Sequence, residues 1–139
     1  MLYRVFGDTI VARLDKGEEV IAAIKEICVK EGVKAGSITG LGAVNHVVIG
    51  VFDTEEQKFC PNVLDGVYEI ASVTGNVSEM DGETYLHLHA TFGDREGRVF
   101  GGHLSEAVIS ATGEIYIHTV DGHVGRTFSP EIGLNLIDF

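Results

Sequence analysis

The sequence predicts a mixed α/β (α+β) fold in which strands dominate and one helix is clear. Three observations carry this. A single stretch, residues 18–32, has apolar residues at the i, i+4, i+7, i+8 spacing of an amphipathic helix. Most of the chain after it alternates apolar and polar residues in short runs, the period of a half-buried strand. Glycine supplies 18 of 139 residues, about twice its usual share, which suits turns and bulges. The length fits one domain, residues 1–139, large enough to bury a core.

In chain order, residues 2–6 and 9–14 read as strands about a Gly7-Asp8 turn. Asp15 is the expected helix N-cap, and Glu18 three residues on completes a capping-box pattern. Val20, Ile24, Ile27 and Cys28 form the apolar face, and Gly32 is the expected stop. Strands are then expected at 35–39, 44–53, 67–77, 84–92, 99–104, 107–111 and 114–120. Asp81-Gly82, Thr112-Gly113 and Asp121-Gly122 read as turns, and residues 54–65 as a polar loop or short strand. Gly40-Leu41-Gly42 lacks the third glycine of a dinucleotide fingerprint, since Asn45 stands there, and strand rather than helix follows. It reads instead as a backbone bend beside a pocket.

Composition narrows function. A formal net charge of −11 and the lack of any basic run work against phosphate backbones as partners. No run of about 18 apolar residues exists, so no membrane span is expected. The first residues lack a basic-then-apolar signal segment. Cys28 and Cys60 stand alone, as reduced thiols of a cytoplasmic protein would. There is no Gly-x-Ser-x-Gly elbow and no P-loop, and Ser37 and Ser105 have no visible triad partners.

The chemistry lies in Tyr85-Leu86-His87-Leu88-His89 and Gly101-Gly102-His103. His87 and His89 are two apart on a strand and share a face. Leu86, Leu88, Ala90 and Phe92 take the opposite, core-facing side, while Tyr85 and Thr91 join the histidine face. Whether His103 joins them depends on loop parity. A three-residue loop, Arg95-Glu96-Gly97, ends in glycine as such loops commonly do. It sets Asp94 opposite Arg98 and therefore His89 opposite His103. A four-residue loop would turn His103 to the wrong side. Three imidazoles converging from two antiparallel strands make a metal site, zinc or another divalent transition ion, with one position left for water or ligand. The spacing of a cupin fails, because Glu96 lies in the turn.

The segment from Leu86-His87-Leu88-His89 through Gly93-Asp94-Arg95-Glu96-Gly97 to Gly101-Gly102-His103-Leu104 resembles the signature of the PPC (plants and prokaryotes conserved) family. The resemblance extends to Tyr68–Asn76, to Gly40-Leu41-Gly42-Ala43-Val44 and to the helix after Lys16-Gly17-Glu18. It implies a largely antiparallel sheet with flanking helices, a homotrimer, and metal ligation by His87, His89 and His103. Plant relatives act on AT-rich DNA through an AT-hook, whose Arg-Gly-Arg-Pro is absent here, and Val67 follows Gly66 where they have Arg. Stand-alone prokaryotic members are the better match.

Two function classes follow. One is a metal-binding, homotrimeric, regulatory module carrying the family's DNA-binding label, with weak DNA binding expected. The other is an enzyme using a metal ion held by the three histidines on a small molecule, for which Glu69, Glu106 or Arg126 are available as acid, base or anion contact.

Overall fold

The computed structural model describes residues 1–139. Its elements are β1 (Leu2–Phe6), β2 (Thr9–Asp15), α1 (Val20–Glu31), β3 (Gly36–Asp53), β4 (Lys58–Met80), β5 (Glu83–Gly93), β6 (Val99–Thr119), β7 (Gly125–Ser129) and β8 (Leu134–Asp138). β1 to β6 form one antiparallel sheet in the order β1-β2-β6-β3-β4-β5. The first part of β6 also pairs with β5, so β3, β4, β5 and β6 close on one another. β7 and β8 make a separate two-stranded hairpin.

Alternation places the core. Leu88, Ala90 and Phe92 of β5 and Ile109, Ile115 and Ile117 of β6 are buried in one cluster with Val44, Val47 and Val73. The helix adds Val20, Ile24, Ile27 and Cys28 to the same cluster, the face its spacing predicts. Burying each large aliphatic side chain stabilises the fold by about 1.5–3 kcal/mol. Gly32 ends the helix in the left-handed region (φ 66°), where a β-carbon is disfavoured. Desolvation pushes the Cys28 thiol up to about 12, so it is an inert core residue. Cys60 is exposed and also free.

Several expectations need correction. The helix cap is Glu19, not Asp15: its carboxylate accepts from the backbone N–H of Ile21 (3.0 Å) and Ala22 (2.7 Å). The chain before Glu19 cannot be helical because it is held to β6. Gly17 N–H donates to the Ile109 carbonyl (2.8 Å) and Ile109 N–H to that of Glu18 (2.9 Å). The Glu18 side chain does accept from Asp15 N–H (2.7 Å), but this bond closes a turn after β2. Thr112-Gly113 is not a turn. β6 runs through it, with β2 on one side (Leu14 opposite Gly113) and β3 on the other (Gly42 opposite Gly113). Gly40-Leu41-Gly42 is likewise an irregularity within the continuous β3, away from the histidines. Of the loop-or-strand alternatives at 54–65, residues from Lys58 on are strand. One helix, not several, packs on the sheet.

Candidate metal centre

The β5–β6 connection has the three-residue parity. Asp94 N–H donates to the Arg98 carbonyl (3.0 Å), and Gly97 takes φ +77°. The Asp94 carboxylate fixes the loop, accepting from the backbone N–H of Glu96 and Arg98 at 2.9 Å each and from Arg98 Nε at 2.6 Å. His89 is therefore directly opposite His103. On the other side of β5, Asn76 of β4 is opposite His87. Gly102 permits the third strand to close in, because a β-carbon there would lie 2.6 Å from the Gly50 carbonyl oxygen of β3.

One ring nitrogen from each of His87, His89 and His103 lies within 4.8 Å of the others. Ring centroids are 5.1 to 5.6 Å apart. A tetrahedral ion at 2.0–2.1 Å needs ligand nitrogens about 3.4 Å apart, inside the 4.8 Å limit within which these lie. Burial is the main cause holding His87 below the ordinary imidazole value, with the charges of His103, His89 and Arg126 adding to it. Burial does the same for His103, helped by His89. Both rings are thus disposed to the neutral form that a metal requires.

The histidines open into a cavity of about 770 Å³, within the range of small-molecule sites. Val51, Phe52 and Phe59 of the β3–β4 hairpin form one wall, and Leu134, Leu136 and Ile137 of β8 another. Phe59 packs edge-on to His103 with centroids 5.7 Å apart. Arg126 of β7 completes the lining. Its Nε donates to Ser78 Oγ (2.8 Å), one terminal nitrogen to the Asn135 carbonyl (2.7 Å) and the other to Asn76 Oδ1 (2.9 Å). Its guanidinium lies 4.7 Å from the centre of the Tyr85 ring.

Of the residues singled out in the sequence, the three histidines, Tyr85, Ser105 and Arg126 come together here. Glu69 and Glu106 do not; Glu106 instead lies 3.8 Å from His46. Thr91 hydrogen-bonds Ser72 (2.9 Å), outside the cavity. Asn76, Phe59 and the β8 wall were not foreseen. Asn76 could have been found, since Thr74, Asn76 and Ser78 alternate as polar residues opposite His89, His87 and Tyr85.

Residues 1–121 match the model of the Plants and Prokaryotes Conserved (PCC) domain. No curated protein matches the chain. Three solved structures resemble it over nearly its whole length. A Pyrococcus horikoshii plant- and prokaryote-conserved protein is 34% identical, with 99% of this chain and 95% of that one covered, at a TM-score of 0.87. A metal-containing protein from Archaeoglobus fulgidus is 31% identical, covering 100% and 99%, at 0.90. A Bacteroides thetaiotaomicron protein described as a "putative DNA binding protein" is 30% identical, covering 99% and 96%, at 0.97. The chain belongs to the PCC domain family.

Proposed function

Taking membership of the PCC domain family as the premise, we propose that this chain is a metal-binding protein whose ligands are His87, His89 and His103. The observation that carries this is the convergence of three imidazole nitrogens within 4.8 Å at the mouth of a cavity. The metal content of the A. fulgidus relative supports it. An all-imidazole donor set suits zinc, copper, nickel or iron rather than magnesium or calcium, and zinc is the ion we expect. The working assembly is a homotrimer. The free thiols Cys28 and Cys60 fit a reducing, cytoplasmic setting; no helix is long and apolar enough to cross a membrane.

Elemental analysis after chelation and zinc reloading tests the site. Wild type should hold about one zinc per chain. His87→Ala, His89→Ala and His103→Ala should each hold much less, His89→Ala least, because that residue faces His103 across the ladder and His87 along the strand. All three variants should fold, since none of the histidines belongs to the apolar core. Equal zinc in all four proteins would end the three-histidine reading.

The cavity favours a second reading over a purely structural ion: a metal-dependent enzyme acting on a small molecule. Zinc held by three histidines activates water and polarises carbonyl groups. The chain's own contribution is an apolar lining, with Arg126 and Tyr85 to orient a ligand. Metal-dependent turnover would separate this from a regulatory role. DNA, the partner named for the B. thetaiotaomicron relative, is expected to bind only weakly.

A further inference from the structure

The histidine cavity holds one cation and no carboxylate, in a chain of net charge −11. None of its lining residues is an Asp or Glu, although the chain has 21 of them. Arg126 is the lining cation, and no carboxylate lies within ion-pair distance of it. Its three hydrogen bonds all go to neutral oxygens, those of Ser78, Asn76 and Asn135. A guanidinium has five N–H donors, so one remains on each terminal nitrogen. Its location is fixed by register. Asn76 stands opposite His87 and Ser78 opposite Tyr85, so the side chain bonded to both lies along the row that leads to the histidines. The apolar part of the lining is Val51, Phe52, Phe59, Leu134, Leu136 and Ile137. Arg126 and the β8 wall also lie beyond residues 1–121 that match the family model. They belong to the β7–β8 hairpin that closes this side of the cavity.

We propose that the cavity binds a small organic monocarboxylate, its carboxylate held by Arg126, its hydrocarbon body against the Phe59 and Leu134–Ile137 walls, and its far end toward the three histidines. A carboxylate's two oxygens can accept from the two free donors, and an Arg with neutral partners keeps its charge for the ligand. Phosphate is the weaker fit, because it needs more donors than this wall provides and gains nothing from the apolar sides. The assignment rests on the metal-site reading only for what the ligand's far end meets. The anion contact itself belongs to Arg126.

Hexanoate, hexanamide and inorganic phosphate are the probes, titrated calorimetrically into chelator-stripped and zinc-loaded protein. In stripped wild type, hexanoate should bind about tenfold or more tighter than hexanamide, the difference a charge-assisted hydrogen-bond pair makes. Arg126→Gln should lose about that factor for hexanoate and leave hexanamide unchanged, while Arg126→Lys should fall between. Arg126 also ties the β7–β8 hairpin to the sheet, so Arg126→Gln could loosen the wall. The unmutated comparison of acid with amide does not depend on that variant. Equal affinities for acid and amide, no hexanoate binding up to about 10 mM, or phosphate binding as tightly as hexanoate would each overturn the proposal. Zinc content measured on the same samples judges the metal reading separately. Arg126-dependent hexanoate binding without zinc would retain the anion site alone, and zinc without hexanoate binding would remove it alone.

Discussion

His46 lies between two carboxylates, with Nδ1 2.6 Å from Asp65 and Nε2 3.8 Å from Glu106. The hydrogen bond to Asp65 raises its pKa above 6.5; partial desolvation opposes this, and the charges of Asp65 and Glu106 add to it. The histidines of the cavity behave oppositely, because His87 and His103 are half-buried beside other rings and no carboxylate. A raised folded-state value means that His46 stabilises the fold fully below about pH 6.5, and that this contribution fades as pH rises through the higher folded value. In an NMR titration the His46 ring should show a midpoint above about 6.5, and Asp65→Asn should bring it back toward that value. The Tm difference between wild type and His46→Gln should be largest on the acid side and shrink with rising pH. A difference growing toward alkaline pH would contradict the assigned partner.

Glu19 shows how an element is placed by its neighbours. One of its carboxylate oxygens accepts from Ile21 N–H and, at 3.1 Å, from the backbone N–H of Ala107, which is fully buried. Glu19→Ala therefore removes a helix cap and leaves an interior donor unpaired, at a cost of about 2 kcal/mol. Denaturant unfolding should show a lowered midpoint at unchanged slope. Glu19→Gln, which keeps an acceptor, should recover most of the loss. This cap was not legible in the sequence, since Glu is a poor local N-cap and its partner on β6 is 88 positions away in the chain. Local chemistry did reveal the helix face, the αL stop and the β5–β6 loop, because each depends on residues a few places apart. The loop also delivered the histidine cluster, since one parity fixes the face of every side chain beyond it. Thr112-Gly113 misled for the opposite reason: turn-forming residues were drawn into a strand by ladders on both sides. The β7–β8 hairpin went unread because its strands are short and its partners, through Arg126, lie on β4.

At the scale of the whole molecule, the sheet leaves apolar surface uncovered. Leu2, Val5 and Phe6 of β1 are exposed, as are Val63 and Val67 on the long β3–β4 hairpin. One helix cannot cover both regions, and contact between subunits would bury them. Light scattering at micromolar concentration should give three times the 15.0 kDa chain mass, and a monomer would defeat the homotrimer. Such assembly would also bear on DNA, because it would multiply a charge that is already −11 per chain. Non-specific binding is driven by releasing counterions from phosphates, which requires cations free to replace them. Here Arg13, Lys34 and Arg98 are already paired with Asp15, Glu79 and Asp94, and the cations outside ion pairs, such as Lys16, Lys25, Lys58 and Arg95, are scattered singly along the sequence. Arg126 is turned into the cavity, where a duplex cannot reach. The tag-free protein should therefore bind random duplex no more tightly than about 10⁻⁴ M at physiological salt, with a shallow dependence on salt concentration. A steep negative slope of log affinity against log salt, with micromolar or tighter binding, would mean that trimerisation builds a basic surface the single chain lacks. It would also shift the functional reading from the small-molecule cavity toward nucleic acid.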